Sequence, residues 1–181
     1  TEDKDYMLHL YAMHLLAAWR DKRAYRPLVQ LGHNPEEVVE NMMGDVVTET
    51  YGRALASVCD GDLSPLQTLA EDVKACIWTR KAALLAMSVC ALEGDADREA
   101  LIAYLAQLGE REALRLGALN GDVEDFELID GIVSNATDLG AVSMLPAIRQ
   151  WFADGLLDES MAGERWVASQ IACSPADCPD R

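Results

Sequence analysis

Aromatic residues are scarce in this 181-residue chain, at 6% of positions with two Phe among them. A core must therefore be built mainly from Leu, Ala, Val and Met, whose compact or unbranched side chains favour close helix–helix packing. Positive charge is also short. Fifteen Lys and Arg stand against 31 Asp and Glu, a formal net charge of −16 and a pI near 4.4. A field of that sign repels phosphate backbones and anionic lipid, which argues against direct nucleic-acid binding and against adsorption to a membrane surface. No apolar run approaches the ~18 residues that a membrane span requires. Five cysteines, an odd number at irregular spacing, make no disulfide framework and fit a reducing, cytoplasmic setting. Thr1 is not an initiator, so a targeting signal upstream would not be visible in this sequence.

Half of the residues are hydrophobic and a quarter are charged, an ordinary globular balance. Length and composition lead to one domain over residues 1–172 with a flexible tail at 173–181. Apolar residues recur at helical spacing along most of it. Met7, Leu8, Tyr11, Ala12, Leu15, Leu16 and Trp19 form one stripe of a helix over 3–20. After a polar break at Asp21-Lys22-Arg23, Tyr25, Leu28, Val29 and Leu31 begin a second helix. Gly32-His33-Asn34-Pro35 ends it, with Asn34 capping and Pro35 opening a short third segment. Further helices are expected from Gly44-Asp45 to about Cys59, over 63–72, over 75–92, from an Asp97 cap through Leu108, and around Phe126–Asn135, 142–156 and 160–171. Glycines at 109, 117 and 121 are expected to interrupt the stretch between 109 and 122. No segment alternates with period two, so no sheet is expected.

Internal repetition organises these pieces. Pro27 and Pro65 each stand near the start of a helix that follows a charged turn, 38 positions apart, and Pro146 recurs in that place 81 positions beyond Pro65. A period of about 40 with two helices per unit predicts an all-α fold, an α-solenoid of HEAT-like stacked helical hairpins with about 8–10 helices.

Residues suited to carry chemistry are few. Asp45, Thr48, Glu49 and Arg53 form a polar group, with Asp45 placed to accept from first-turn amides and Glu49 spaced to pair with Arg53. Asp60 and Asp62 flank Gly61 in a turn that lacks the later ligands of a calcium loop. These six residues, Asp45, Thr48, Glu49, Arg53, Asp60 and Asp62, make the candidate interaction surface. Asp122, Glu124, Asp125, Glu127 and Asp130 read as a solvated acidic helix start. His9 and His14 lie about 140° apart around a helix and cannot easily share a metal. Cys173 and Cys178 lack a second ligand pair, and Cys59, Cys76 and Cys90 fall within apolar patterns as small buried hydrophobes. No nucleophile elbow or phosphate-binding loop is present, so no catalytic, metal or cofactor residue is assigned.

Asp5-Tyr6-Met7-Leu8-His9-Leu10-Tyr11-Ala12, Lys22-Arg23-Ala24-Tyr25, Gly44-Asp45-Val46-Val47-Thr48-Glu49 and Arg53-Ala54-Leu55-Ala56-Ser57 together resemble a bacterial family known as domain of unknown function 1186. The resemblance continues through Asp60-Gly61-Asp62-Leu63, Arg80-Lys81-Ala82-Ala83-Leu84, Ser134-Asn135-Ala136 and Phe152-Ala153-Asp154-Gly155-Leu156-Leu157-Asp158, covering nearly the whole chain. It implies a helical-repeat fold, carries no established activity, and implies a further N-terminal helical portion. Some members end in a cysteine-rich zinc motif like that of the SecA translocase, a pattern that Cys173-Ser174-Pro175-Ala176-Asp177-Cys178-Pro179 does not match. The leading expectation is a non-catalytic scaffold for another protein or peptide, one of basic character fitting the acidity. The alternatives are a metal-assisted hydrolase using Asp45, Glu49, Asp60 and Asp62, or an acidic nucleic-acid mimic.

Overall fold

A computed structural model describes residues 7–118, 127–157, 159 and 162–173. Among them are eleven α-helices, two 3₁₀ turns and no strand. The chain divides into two compact units, Thr1–Cys90 and Ala91–Arg181.

The first unit begins with α1 (Leu8–Ala18), a 3₁₀ turn (Lys22–Ala24) and α2 (Tyr25–Gly32). It continues through α3 (Glu36–Met43), α4 (Val46–Glu49), α5 (Tyr51–Val58) and α6 (Ser64–Glu71) into α7 (Ile77–Leu92), whose last residues pass the unit boundary. Helix α5 packs against both α1 and α2, and α2 also packs against α6. Tyr25, Tyr51, Leu55, Leu66, Leu69 and Leu84 are fully buried there. The two tyrosines place their hydroxyls on backbone acceptors: Tyr51 donates to the Leu28 carbonyl at 2.7 Å and Tyr25 to that of Asp62 at 2.8 Å. Each bond satisfies a polar group that burial would otherwise leave unpaired. Gly52 brings α5 against α7 so closely that a Cβ there would stand 2.9 Å from the Ala82 carbonyl oxygen.

The second unit holds α8 (Arg98–Ala118), α9 (Glu127–Asp138), a second 3₁₀ turn (Val142–Met144), α10 (Leu145–Ala153) and α11 (Glu164–Ala172). Helix α9 packs between α8 and α11, and α10 touches both α8 and α11. Leu105, Leu116, Leu128, Ile129 and Trp151 are fully buried. Asp97 caps α8 as expected, its carboxylate accepting from the Ala100 amide at 3.0 Å.

Several expected details are corrected. Helix α8 runs 21 residues without a break, straight through Gly109 and Gly117. At Gly109 the missing side chain is what lets the Trp151 ring lie on the helix, so the glycine serves packing rather than interruption. The helix expected over 44–59 is two helices, because Thr50 (φ −134°, ψ −20°) leaves the helical region and becomes the N-cap of α5. That break accounts for a count above the expected ten. Asn34 does not cap α3; its side-chain amide donates back to the Leu31 carbonyl at 2.8 Å. The apolar stripe of α1 does not enter the core as a whole. Met13 is buried, while Leu8, Tyr11, Ala12, Leu15 and Trp19 are exposed.

A local pattern occurs twice. After α1, the Asp21 amide donates to the Leu16 carbonyl at 3.0 Å and the Arg20 amide to that of Ala17 at 3.0 Å; after α9, Ala141 donates to Ala136 at 2.9 Å and Gly140 to Thr137 at 3.0 Å. Both turns place one residue in the left-handed region, Arg20 at φ 51° and Gly140 at φ 61°. Both continue into a 3₁₀ turn and then a helix with Pro in its first turn, Pro27 and Pro146. The helix C-terminal motif, which also closes α10 at Gly155 (φ 70°), favours glycine, and its two copies that lead into a 3₁₀ turn and a Pro-bearing helix are 120 positions apart. Arginine at a left-handed position carries a strain of about 1 kcal/mol. Arg20→Gly is expected to remove it, offset in part by the unfolded-state entropy of glycine, for a net gain of a few tenths to 1 kcal/mol in urea denaturation.

Candidate functional site

The six polar residues of the expected surface are all exposed: Asp45, Thr48 and Glu49 at α4, Arg53 on α5, and Asp60 and Asp62 in the turn that follows α5. Asp45 lies before α4 and makes no side-chain cap; its backbone carbonyl accepts from the Thr48 hydroxyl at 3.0 Å instead. The expected capping role is therefore corrected, because Asp45 itself has helical dihedrals (φ −63°, ψ −19°) and its side chain is not aimed at the helix start. No ion pair joins Glu49 to Arg53, since the break at Thr50 puts them on different helices and removes the i,i+4 geometry.

Asp60 and Asp62 do meet a common partner. Arg26, from α2, reaches Asp62 at 3.1 Å and Asp60 at 4.0 Å. The carboxylates also build the turn: Asp60 accepts from the Asp62 amide and Asp62 from the Ser64 amide, each at 3.0 Å. The Ser64 donors, aided by Arg26, hold the Asp62 carboxyl below the usual carboxylate range. Gly61 supplies the left-handed residue at φ 100°. Among the described residues no three His, Cys, Asp or Glu side chains stand together in a way that could hold a metal ion. Asp45 and Glu49 are thus not assembled with Asp60 and Asp62 into the carboxylate centre that a metal-assisted hydrolase would use. Glu127 and Asp130 lie in α9, whereas Asp122, Glu124, Asp125 and Phe126 fall outside the described residues, as do residues 174–181 of the expected tail with Cys178.

Of the three histidines, His9 donates to the Met42 carbonyl at 2.5 Å. His14 bonds the Leu10 carbonyl at 2.7 Å and the Thr50 hydroxyl at 3.0 Å. His33 lies 2.7 Å from Asp72, whose carboxyl is lowered by this contact first and by the Lys74 amide second. An open depression of about 520 Å³ beside Asp72 is lined by Ser64, Gln67, Thr68, Glu71 and Asp72. No Ser, Thr or Cys side chain is bonded to His33, so the pair lacks the nucleophile of an acyl-transfer triad.

Two features escaped sequence reasoning. The first is the outer face of α1. Leu8, Tyr11, Leu15 and Trp19 lie within about 80° of one another around the helix axis, and Ala12 and Ala18 complete a face without a polar side chain. The segment Leu8–Ala18 carries no charged residue in a chain of net charge −16, and that absence was the available signal. The second lies beneath the Asp60–Gly61–Asp62 turn. Cys59 is buried after the last residue of α5, where the Tyr25 hydroxyl donates to the Asp62 carbonyl at 2.8 Å and the Cys90 thiol of α7 to the Ala56 carbonyl at 4.0 Å. The Cys90 thiol is the largest of the effects that lower the Cys59 thiol to about 6, against the opposing influences of burial and of Asp60. No spacing rule connects a cysteine at a helix end to one in a helix thirty-one positions later.

The described residues thus define an all-helical protein without a metal cluster or a catalytic triad. The chain belongs to the family described as "Protein of unknown function (DUF1186)", whose profile matches residues 1–178. It is 31% identical over 161 residues to an "Uncharacterized protein" of Chlamydia muridarum and 32% identical over 163 residues to an "Uncharacterized protein" of Chlamydia trachomatis serovar D. Each match takes in 88% of this chain and 60% of the relative, so the chain spans about three fifths of the length of these curated relatives. No solved structure matches the chain. No helix among the described residues is long and apolar enough to cross a membrane.

Proposed function

We propose that the chain is a HEAT-like helical-repeat scaffold, one functional domain over residues 1–172, that binds another protein or peptide in the cytoplasm and catalyses no reaction. The observation that carries the binding role is the outer face of α1, where Leu8 is 61%, Tyr11 67%, Leu15 51% and Trp19 72% exposed. Contiguous large apolar side chains on a helix face are unfavourable in water and mark interaction surfaces, whereas singly scattered ones do not. The repeat reading is supported by the recurrence of the same turn, 3₁₀ step and Pro-started helix at residues 20 and 140, a distance of three periods of about 40.

An amphipathic helix of the partner is the element that fits, its apolar side chains spaced to meet positions 8, 11, 15 and 19. Beyond the end of the face Lys22, Arg23 and Arg26 are engaged within the chain by the Cys59 carbonyl, Asp21 and the Asp60–Asp62 turn, so the match to the partner helix rests on apolar shape. The predominantly basic partner inferred from net charge alone would have to meet the acidic remainder of the surface instead. The test is the double variant Leu15→Asp, Trp19→Asp used as bait beside the unaltered chain, with bound proteins identified by mass spectrometry. A stoichiometric protein retained by the unaltered chain and lost from the variant is expected. Stability should remain within about 0.5 kcal/mol because both side chains face water. Identical retention by both baits would remove α1 as the binding face.

A further inference from the structure

The outer face of α1 carries an internal symmetry. Leu8, Tyr11, Leu15 and Trp19 are spaced by three, four and four positions, so the series read backwards along a second helix nearly matches itself. Laid antiparallel on its own copy, the stripe sets Leu8 beside Trp19 of the other copy and Tyr11 beside Leu15, each pairing occurring twice. An aliphatic side chain then meets an aromatic ring at every level, which spreads the bulk evenly along the contact. Ala12 and Ala18, small and exposed on the same face, let the two backbones approach. A parallel arrangement has no such fit. It sets Trp19 against Trp19 and brings two Arg20 cations, one after each helix, to the same end.

We propose that α1 pairs antiparallel with α1 of a second copy of this chain, giving a twofold-symmetric dimer; the inference rests on α1 being a binding face and names its occupant. Area supports the pairing. The four large side chains leave between 51% and 72% of their surfaces in water. Covered on both copies, they would remove roughly 1,200 Å² from water, the lower end of the range for a specific interface. Charge decides which surface two copies can share. Each carries a net charge of −16, so most faces of one repel the other, whereas Leu8–Ala18 has no charged side chain. The helix's two histidines are bonded to the Met42 carbonyl and the Thr50 hydroxyl of their own chain, off the stripe, so pairing strips neither of its partner. A symmetric contact presents every residue twice, and a substitution within it acts twice.

Sedimentation equilibrium of the purified 181-residue chain over about 1–300 μM reads the pairing. The mass is expected to rise from 19.8 kDa towards twice that value, with a midpoint in the micromolar range. Added chloride should tighten the dimer, because it screens the repulsion between two acidic copies. Leu15→Asp should weaken it at least about 100-fold, since each dimer would bury the new carboxylate twice. Its circular dichroism should not change, because Leu15 faces water. Orientation is read by mixing. Leu8→Lys alone and Trp19→Glu alone should each stay monomeric, whereas their equimolar mixture should recover a heterodimer. Only antiparallel pairing sets position 8 of one copy beside position 19 of the other. A mass constant at 19.8 kDa overturns the self-pair, even where the capture experiment finds an unlike protein on α1. A dimer that survives Leu15→Asp overturns it too, since the chain then pairs elsewhere, and so does a mixture without recovery. The underlying reading fails separately, when neither sedimentation nor capture responds to substitutions in α1.

Discussion

Trp151→Ala is expected to cost about 3–5 kcal/mol, the largest effect of any single truncation in the second unit. The indole is 2% exposed and rests on α8 where Gly109 offers no side chain. A Cβ on Gly109 would stand 2.3 Å from the ring's Cη2 and 2.8 Å from its Cζ2, well inside contact distance. Gly109→Ala alone is therefore expected to destabilise by about 2–3 kcal/mol through overpacking, although alanine favours a helix more than glycine does. The two substitutions should not add. With the ring gone, the new methyl enters vacated space and the helix gains alanine's propensity, so the double variant should be no less stable than Trp151→Ala alone. Urea denaturation of the four proteins measures the coupling directly. Additive costs would mean that the ring and the glycine are not in contact.

Gly52→Ala is expected to cost about 3 kcal/mol by a less forgiving route. Its Cβ would lie 2.9 Å from the backbone oxygen of Ala82 and 2.9 Å from Cδ2 of Leu85, with the Leu85 Cβ at 3.3 Å. A leucine methyl can rotate away, but a helical carbonyl moves only with its helix, so α5 and α7 would have to separate. Burial on both sides, with Leu55 and Ala83 fully enclosed, leaves no slack to absorb that shift. Thermal or urea unfolding of Gly52→Ala reads the effect. A change below about 0.5 kcal/mol would show that the two helices do not approach as described.

Helix periodicity carried most of the fold into the sequence. The Asp97 cap, the left-handed Gly61, Gly94 and Gly155, and the Pro-started helices at Pro65 and Pro146 follow from local chemistry that three or four neighbouring residues express. Where a distant residue decided the outcome, the local pattern misled. Gly109 resembled a helix breaker because the ring that needs it lies 42 positions later, and Gly44 to Cys59 resembled one helix although Thr50, whose hydroxyl binds His14, divides it. Helix α1 misled for another reason: its spacing named one stripe through Leu8, Tyr11, Leu15 and Trp19, but apolar residues run nearly all around it and the buried one is Met13, off that stripe. The six polar candidates were correctly placed at the surface, but their grouping depended on long-range partners such as Arg26 that spacing cannot reveal.

The uncharged outer face of α1 has a consequence for how a complex made there would respond to its medium. A contact built on opposite charges loosens as ionic strength rises, because mobile ions screen it beyond a distance of about 10 Å at 0.1 M. Leu8, Tyr11, Leu15 and Trp19 have no such term to lose. Their association should persist in concentrated chloride and tighten in sulfate, whose exclusion from protein surfaces strengthens apolar burial. Within a strongly acidic chain, a complex formed on this helix as proposed would be insulated from changes in charge screening, leaving selectivity there mainly to shape.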